Sequence, residues 1–112
     1  MNDTVVLVTN NGMGSADEKL QRLLFGKYVE LLLQNDSLPS ALCFYTEGVK
    51  LVCEGSQVIE QLRNLESQGT RLIVCSTCLN YFELTSKVHV GIIGGMGDIL
   101  EAQIKAAKVI TI

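Results

Sequence analysis

At 112 residues, 47% of them apolar, the chain is long enough for one domain with a real core and too short for two. Nine basic against twelve acidic residues leave a formal net charge of -3, with a single His and no Lys/Arg cluster, so a phosphate backbone finds no docking surface and nucleic acid is not an expected partner. No apolar run approaches the roughly 18 residues of a membrane span, and Met1-Asn2-Asp3-Thr4 lacks the basic-then-apolar order of a signal peptide, so a cytosolic protein without membrane contact is expected.

Residues 4–9 form a mostly β-branched run of the kind buried on both faces of a parallel sheet, and they predict the first strand. After the loop 10–14, Ser15 and Glu18 have the spacing of a capping box. Leu20, Leu23, Leu24, Tyr28, Leu31 and Leu32 then predict the inward face of a helix running to about Gln34. Residues 35–39 supply a break, residues 41–46 a second strand, and residues 47–55 a glycine-flanked connection in which 49–52 is ambiguous. Ser56 is a cap for a helix through Gln68, with Val58, Ile59, Leu62 and Leu65 inward and Gly69 terminating it. Residues 72–75 predict the third strand, and Ser76 or Thr77 caps a short helix to about Leu84. Residues 88–92 predict the fourth strand, 98–107 a helix after the glycine loop 94–97, and 109–112 the last strand. Strands alternating with helices of this length imply right-handed crossovers. The predicted class is therefore α/β, a single domain over residues 1–112 built on a five-stranded parallel sheet with helices on both faces. No repeat, linker or low-complexity tract interrupts it.

With no secretion signal and a strongly apolar core, Cys43, Cys53, Cys75 and Cys78 are expected as reduced thiols rather than a disulfide framework. The strongest local signal is Cys75-Ser76-Thr77-Cys78, where a buried strand gives way to a helix, because ligands of open α/β sheets collect at the carboxyl ends of strands. A thiol at a helix N-terminus is biased toward thiolate. That makes Cys75 the expected nucleophile and places Cys78 in the first turn, close enough to resolve a bond formed on Cys75. The competing reading is that both are small buried hydrophobes.

Three chemistries fit the pair: dithiol redox exchange, metal ligation and carriage of a persulfide. Thioredoxin-like enzymes place a proline in the strand facing the motif, whereas the lone Pro39 sits in the loop before the second strand. Structural zinc needs four ligands, usually as two close pairs; Cys43 and Cys53 make no second close pair and His89 stands alone, so no metal is expected. Cys43 lies mid-strand and reads as core, Cys53 lies in a segment that reads as a loop over the sheet edge, and His89, alternating with Val88 and Val90, reads as a packed or edge strand residue.

The loops 10–14 and 94–97 follow strands and precede helices, so their N–H groups are positioned as an anion cradle. Neither carries a phosphate fingerprint, and Asp17 stands where a dinucleotide loop wants Gly or Ala, which favours tight turns that let helices pack closely. Asn10, Asn11 and Gly12, with Thr77 and Tyr81 beside the cysteines, are the candidate ligand-binding residues. Asp17 reads as a first-turn dipole partner. Tyr81 and Phe82 read as anchors of the short helix, with Tyr81 alternatively rimming a cysteine pocket.

Residues 4–14, the run Phe44-Tyr45 through Gly48-Val49-Lys50-Leu51 and Glu54-Gly55-Ser56, and Cys75-Ser76-Thr77-Cys78-Leu79-Asn80-Tyr81-Phe82 together resemble the DsrE/DsrF-like sulfur-relay family. The nearest likeness is to the C-terminal DsrE-like domain of YedF-type proteins, described as sulfurtransferases of selenium metabolism. The resemblance implies a flavodoxin-like sheet, homo-oligomers, and a cysteine at the end of the third strand that carries sulfane sulfur as a persulfide, a position that Cys75 occupies. Relay members often have small apolar residues where this chain has Ser76, Thr77 and Cys78. These 112 residues hold no TusA-like domain of the kind that YedF-type proteins carry, so the resemblance leads us to expect a donor and an acceptor on other chains, a TusA-like protein among them. Such transfer needs no cofactor. The alternatives are a non-catalytic oligomeric module that binds a small ligand or protein, and a dithiol redox switch.

Overall fold

In the computed structural model, which describes residues 3–112, strands and helices alternate along the chain. Strands β1 (Thr4–Val8), β2 (Ala41–Phe44), β3 (Arg71–Cys75), β4 (Ile92–Gly94) and β5 (Lys108–Thr111) form one sheet in the order β4-β3-β2-β1-β5. All four pairings are parallel. The inner strands are apolar on both faces because both faces are covered: every residue of β1 and β2 is buried, as is β3 from Leu72 onward. The helices are α1 (Glu18–Gln34), α2 (Ile59–Ser67), α3 (Ser76–Tyr81) and α4 (Met96–Lys105). From β1 to β3 the chain steps one way across the sheet, and α1 packs on α2 along that face. It then runs back from β4 to β5, so a right-handed crossover puts α4 on the opposite face. The architecture is the single α/β domain on a parallel sheet that the strand and helix alternation predicts, flavodoxin-like as the family resemblance implies. Among the described residues no helix is long and apolar enough to cross a membrane.

Several boundaries differ from the sequence reading. Helix α1 is capped by Asp17, whose Oδ1 accepts the Lys19 N–H at 3.0 Å, rather than by Ser15. Its buried stripe is Gln21, Phe25, Val29 and Leu32, while Leu20, Leu23, Leu24 and Leu31 are exposed. Apolar residues cover more than half of this helix's circumference, so periodicity alone does not choose a face. The sheet selects the one on which Phe25 meets Phe44 edge-on, with ring centroids 6.4 Å apart.

The fourth strand is also displaced. Val88 makes only an isolated bridge to Cys53, and His89 is an exposed residue outside the sheet whose N–H donates to the Val52 carbonyl at 2.8 Å. Gly91, at φ +91, turns the chain so that Ile92 and Ile93 register against Ile73 and Val74. Helix α4 begins two residues earlier than expected, at Met96, because Asp98 Oδ2 accepts the Gly95 N–H at 2.8 Å. Residues 49–52 belong to a 3₁₀ segment, Thr46–Val52, and α2 starts at Ile59, three residues after Ser56.

Candidate functional site

The carboxyl ends of β1, β2 and β3 converge on the segment that follows β2. Gly48 lies so close to the end of β1 that a Cβ there would sit 2.1 Å from the Val8 carbonyl oxygen, so only glycine lets the Thr46–Val52 segment cross at this depth. The Tyr45 N–H donates to that same oxygen at 3.1 Å. Thr46 then adopts φ +48, a left-handed conformation that costs a β-branched residue about 1–2 kcal/mol. Its hydroxyl donates to the Thr9 carbonyl, with the Tyr45 carbonyl 2.7 Å away, and these contacts hold the turn. The effect is to aim the Thr46 N–H at the Cys78 sulfur, 3.1 Å distant.

Cys75 and Cys78 flank the start of α3, Cys75 as its cap and Cys78 one turn in. The two side chains lie within hydrogen-bond reach of each other. Their exposure reverses the expected order: Cys75 is 1% exposed, sealed among core residues, and Cys78 is half-buried at the rim. Cys75, the expected nucleophile, is thus the buried sulfur of the pair, as the competing reading has it. The reason is that Cys75 still belongs to β3, opposite Gly94 of β4, and shares that strand's burial. Burial pushes the Cys78 thiol above its ordinary value; the Thr46 N–H pulls it down, and Cys75 adds to the rise through its hydrogen bond and charge.

The remaining candidates separate. Asn10 Nδ2 donates to the Gly14 carbonyl at 2.6 Å and is committed to its own loop. Gly12, at φ +132, packs so tightly on α1 that a Cβ would sit 2.2 Å from the Gln21 carbonyl carbon. Buried Gln21 completes the lock: its Oε1 accepts the Ala16 N–H at 2.9 Å and its carbonyl accepts that of Met13 at 2.9 Å. The asparagine-glycine loop is thus pinned by α1, as the tight-turn reading expects. Thr77 is exposed beside the cysteines, and Tyr81, 81% exposed, stands in solvent instead of anchoring α3. Its neighbour Phe82 is the anchor, half-buried under the Lys50 ammonium, which sits 4.7 Å from the ring centroid.

Among the candidate ligand residues, Asn11 lines a cleft of about 470 Å³ shared with Arg22, Lys50, Cys53, Ser56 and Phe82. Neither Cys75 nor Cys78 lines it. Its cations are matched by carboxylates: Arg22 pairs with Glu18 at 3.4 Å and Lys50 with Glu47 at 2.6 Å.

Cys43 is fully buried core, as expected, and burial pushes its thiol up to about 11 despite the opposing charge of Arg71. Cys53 is also buried rather than lying loosely over the sheet edge, and its thiol donates to the Val49 carbonyl at 3.2 Å. Among the described residues, no three His, Cys, Asp or Glu side chains converge as a metal-holding group. Sequence reasoning missed Thr46 and Gly48. The one available signal was a glycine two residues past a β-branched residue at a strand end, which is too common to single out.

No curated protein matches the chain. Solved structures do. A protein of unknown function, MTH1491 from Methanobacterium thermoautotrophicum, is similar at 20% identity over 100% of both chains with a TM-score of 0.73. The ychN protein from E. coli is similar at 19% identity over 100% of both chains, TM-score 0.72. A conserved protein of unknown function, BT1422 from Bacteroides thetaiotaomicron, is similar at 18% identity over 98% of this chain and 95% of that one, TM-score 0.69. At these identities the likeness is one of fold. The model of the DsrE/DsrF-like family matches residues 4–112. With that match spanning nearly all of its length, the chain belongs to the DsrE/DsrF-like family, which is associated with sulfur relay.

Proposed function

We propose that this protein relays sulfane sulfur in the cytoplasm, carrying it as a persulfide on the Cys75/Cys78 pair. The observation that supports the reading is the arrangement of the two sulfurs: Cys78 at the rim accepts a backbone N–H at 3.1 Å, and Cys75 stands behind it within contact. Because Cys78 is the sulfur within a partner's reach, it is the better entry point. Its thiol attacks the outer sulfur of a donor persulfide, the S–S bond of the donor breaks, and the donor leaves as a thiol carrying the displaced proton. Nothing is oxidised or reduced in that exchange. The persulfide on Cys78 passes to an acceptor thiol by the same step in reverse. Alternatively, the Cys75 thiolate attacks the inner sulfur, forming the Cys75–Cys78 disulfide and releasing the outer atom as sulfide.

Donor and acceptor are thiol-bearing proteins, with a TusA-like protein as the candidate that the YedF-type resemblance names and selenium as the competing cargo. A homo-oligomer fits the surface. Met96, Leu100 and Ile104 form an exposed apolar stripe along α4, and Ile92 and Ile93 are exposed on edge strand β4.

The test is to incubate the reduced protein with a sulfane-sulfur donor and weigh it intact. We expect a gain of one sulfur atom that Cys78→Ser abolishes. Retention of the gain in Cys78→Ser together with its loss in Cys75→Ser moves the carrier to Cys75, and no gain in the unsubstituted protein refutes the reading.

A further inference from the structure

We infer that Thr46 is a positioning residue for the Cys78 sulfur, and that its left-handed backbone is held for the purpose of presenting one N–H to the charge that develops there. The inference deepens the relay reading by naming what stabilises the anionic sulfur. Three independent features of the fold agree on it. The first is the φ of +48 at a β-branched residue, a conformation that persists only where the surroundings enforce it. The second is the enforcement itself. The Thr46 hydroxyl is spent on the Thr9 carbonyl, within reach of that of Tyr45, and Gly48 allows the segment to press against the Val8 carbonyl. The third is the result: the Thr46 N–H donates to Cys78 Sγ at 3.1 Å, although thirty-two positions separate the two residues.

The geometry suits an anion. An N–H donor favours a charged sulfur over a protonated one, and it does so without adding a titratable group to the site. Helix α3, six residues long, offers little macrodipole of its own, so an N–H delivered from the strand-end turn supplies what the helix cannot. Lys50, on the same 3₁₀ segment as Thr46, is engaged elsewhere: it lies over the Phe82 ring and pairs with Glu47. The same N–H stays in place while sulfur arrives and departs, because it is fixed by the backbone and not by a side-chain rotamer.

The experiment follows the pH dependence of Cys78 alkylation, read by mass spectrometry at that residue, in the otherwise unaltered chain. Thr46→Val keeps the branch and deletes the hydroxyl that holds the turn, so the N–H swings away. The midpoint of Cys78 alkylation should rise by about one pH unit, a tenfold loss of thiolate at neutral pH. The alkylation rate at pH 7.5 falls only about threefold, because the more basic thiolate is also the better nucleophile; the midpoint is therefore the quantity to read. Thr46→Ser keeps the hydroxyl and should leave the midpoint where it is, a rescue that a merely space-filling Thr46 would not give. If Thr46→Val fails to fold, an amide-to-ester replacement at residue 46 exchanges the N–H for an oxygen while keeping the Thr46 side chain, and should raise the midpoint in the same way. An unchanged midpoint in either folded variant overturns the inference. Sulfur loading is followed in parallel. A midpoint that moves in a protein that never accepts sulfur sinks the relay reading and leaves the role of Thr46 standing, whereas normal loading with an unmoved midpoint does the reverse.

Discussion

Replacing Gly48 by Ala tests whether the strand-end turn is held where it is by close approach. The added Cβ would lie 2.1 Å from the Val8 carbonyl oxygen and 2.8 Å from its carbon, both backbone atoms of a fully buried strand. An ordinary C···O contact is about 3.3 Å, so the two must separate by roughly 1 Å. Val8 is paired on one side to Phe44 within the sheet, so the element that yields is the 3₁₀ segment Thr46–Val52. Its withdrawal stretches the Tyr45 N–H···Val8 and Thr46 N–H···Cys78 contacts, each 3.1 Å, beyond hydrogen-bonding range. Two lost bonds at about 1 kcal/mol each, with at least about 1 kcal/mol of overpacking, give a destabilisation of roughly 3 kcal/mol. For a domain of this size that lowers Tm by roughly 10 °C. Thermal denaturation followed by circular dichroism measures the fall, and alkylation of Cys78 across pH should show its midpoint rising. A Tm within about 2 °C of the parent, together with an unmoved midpoint, would mean that the segment has slack, and the steric account of this turn would be wrong.

Alkaline titration should destabilise the protein through Cys43. The unfolded thiol releases its proton near 9.0, and the buried one holds it to about 11, so between those values the folded state binds more protons and stability falls as pH rises. The full contribution, about 3 kcal/mol, should be gone above pH ~11, and Cys43→Ala should flatten that part of a urea-denaturation series against pH. A curve of unchanged slope in that variant would refute the assignment. On the surface, Ile104→Glu changes the most exposed member of the α4 stripe. It should leave monomer stability within about 0.5 kcal/mol and, on the homo-oligomer proposed above, shift the mass seen by light scattering after gel filtration toward smaller species; an unaltered mass would refute a role of α4 in self-association.

The alternation of apolar runs was enough to predict five parallel strands and four covering helices, because strands buried on both faces read as near-continuous apolar segments such as residues 5–8 and 72–75. Chain position also located the cysteine pair at a strand end, since the run ending at Cys75 is followed at once by a helix-compatible stretch. The failures have identifiable physical causes. Helix α1 is apolar on both its Phe25 and its Leu24 sides, so the pattern names a helix without naming the face that packs. Residues 88–92 alternate like a strand, yet Gly91 bends the chain and the pairing begins only at Ile92.

What the amino-acid sequence determined by itself is the order of strands and helices and the placing of a Cys-x-x-Cys at a strand end. What only the tertiary structure decided is which sulfur meets the outside. Cys75 inherits the burial of the strand to which it belongs, and Cys78 receives its hydrogen bond from a residue thirty-two positions away, across a contact that exists only because Gly48 lets a turn from β2 press against the end of β1. Exposure and through-space donors are properties of packing, and no periodicity along one chain encodes them.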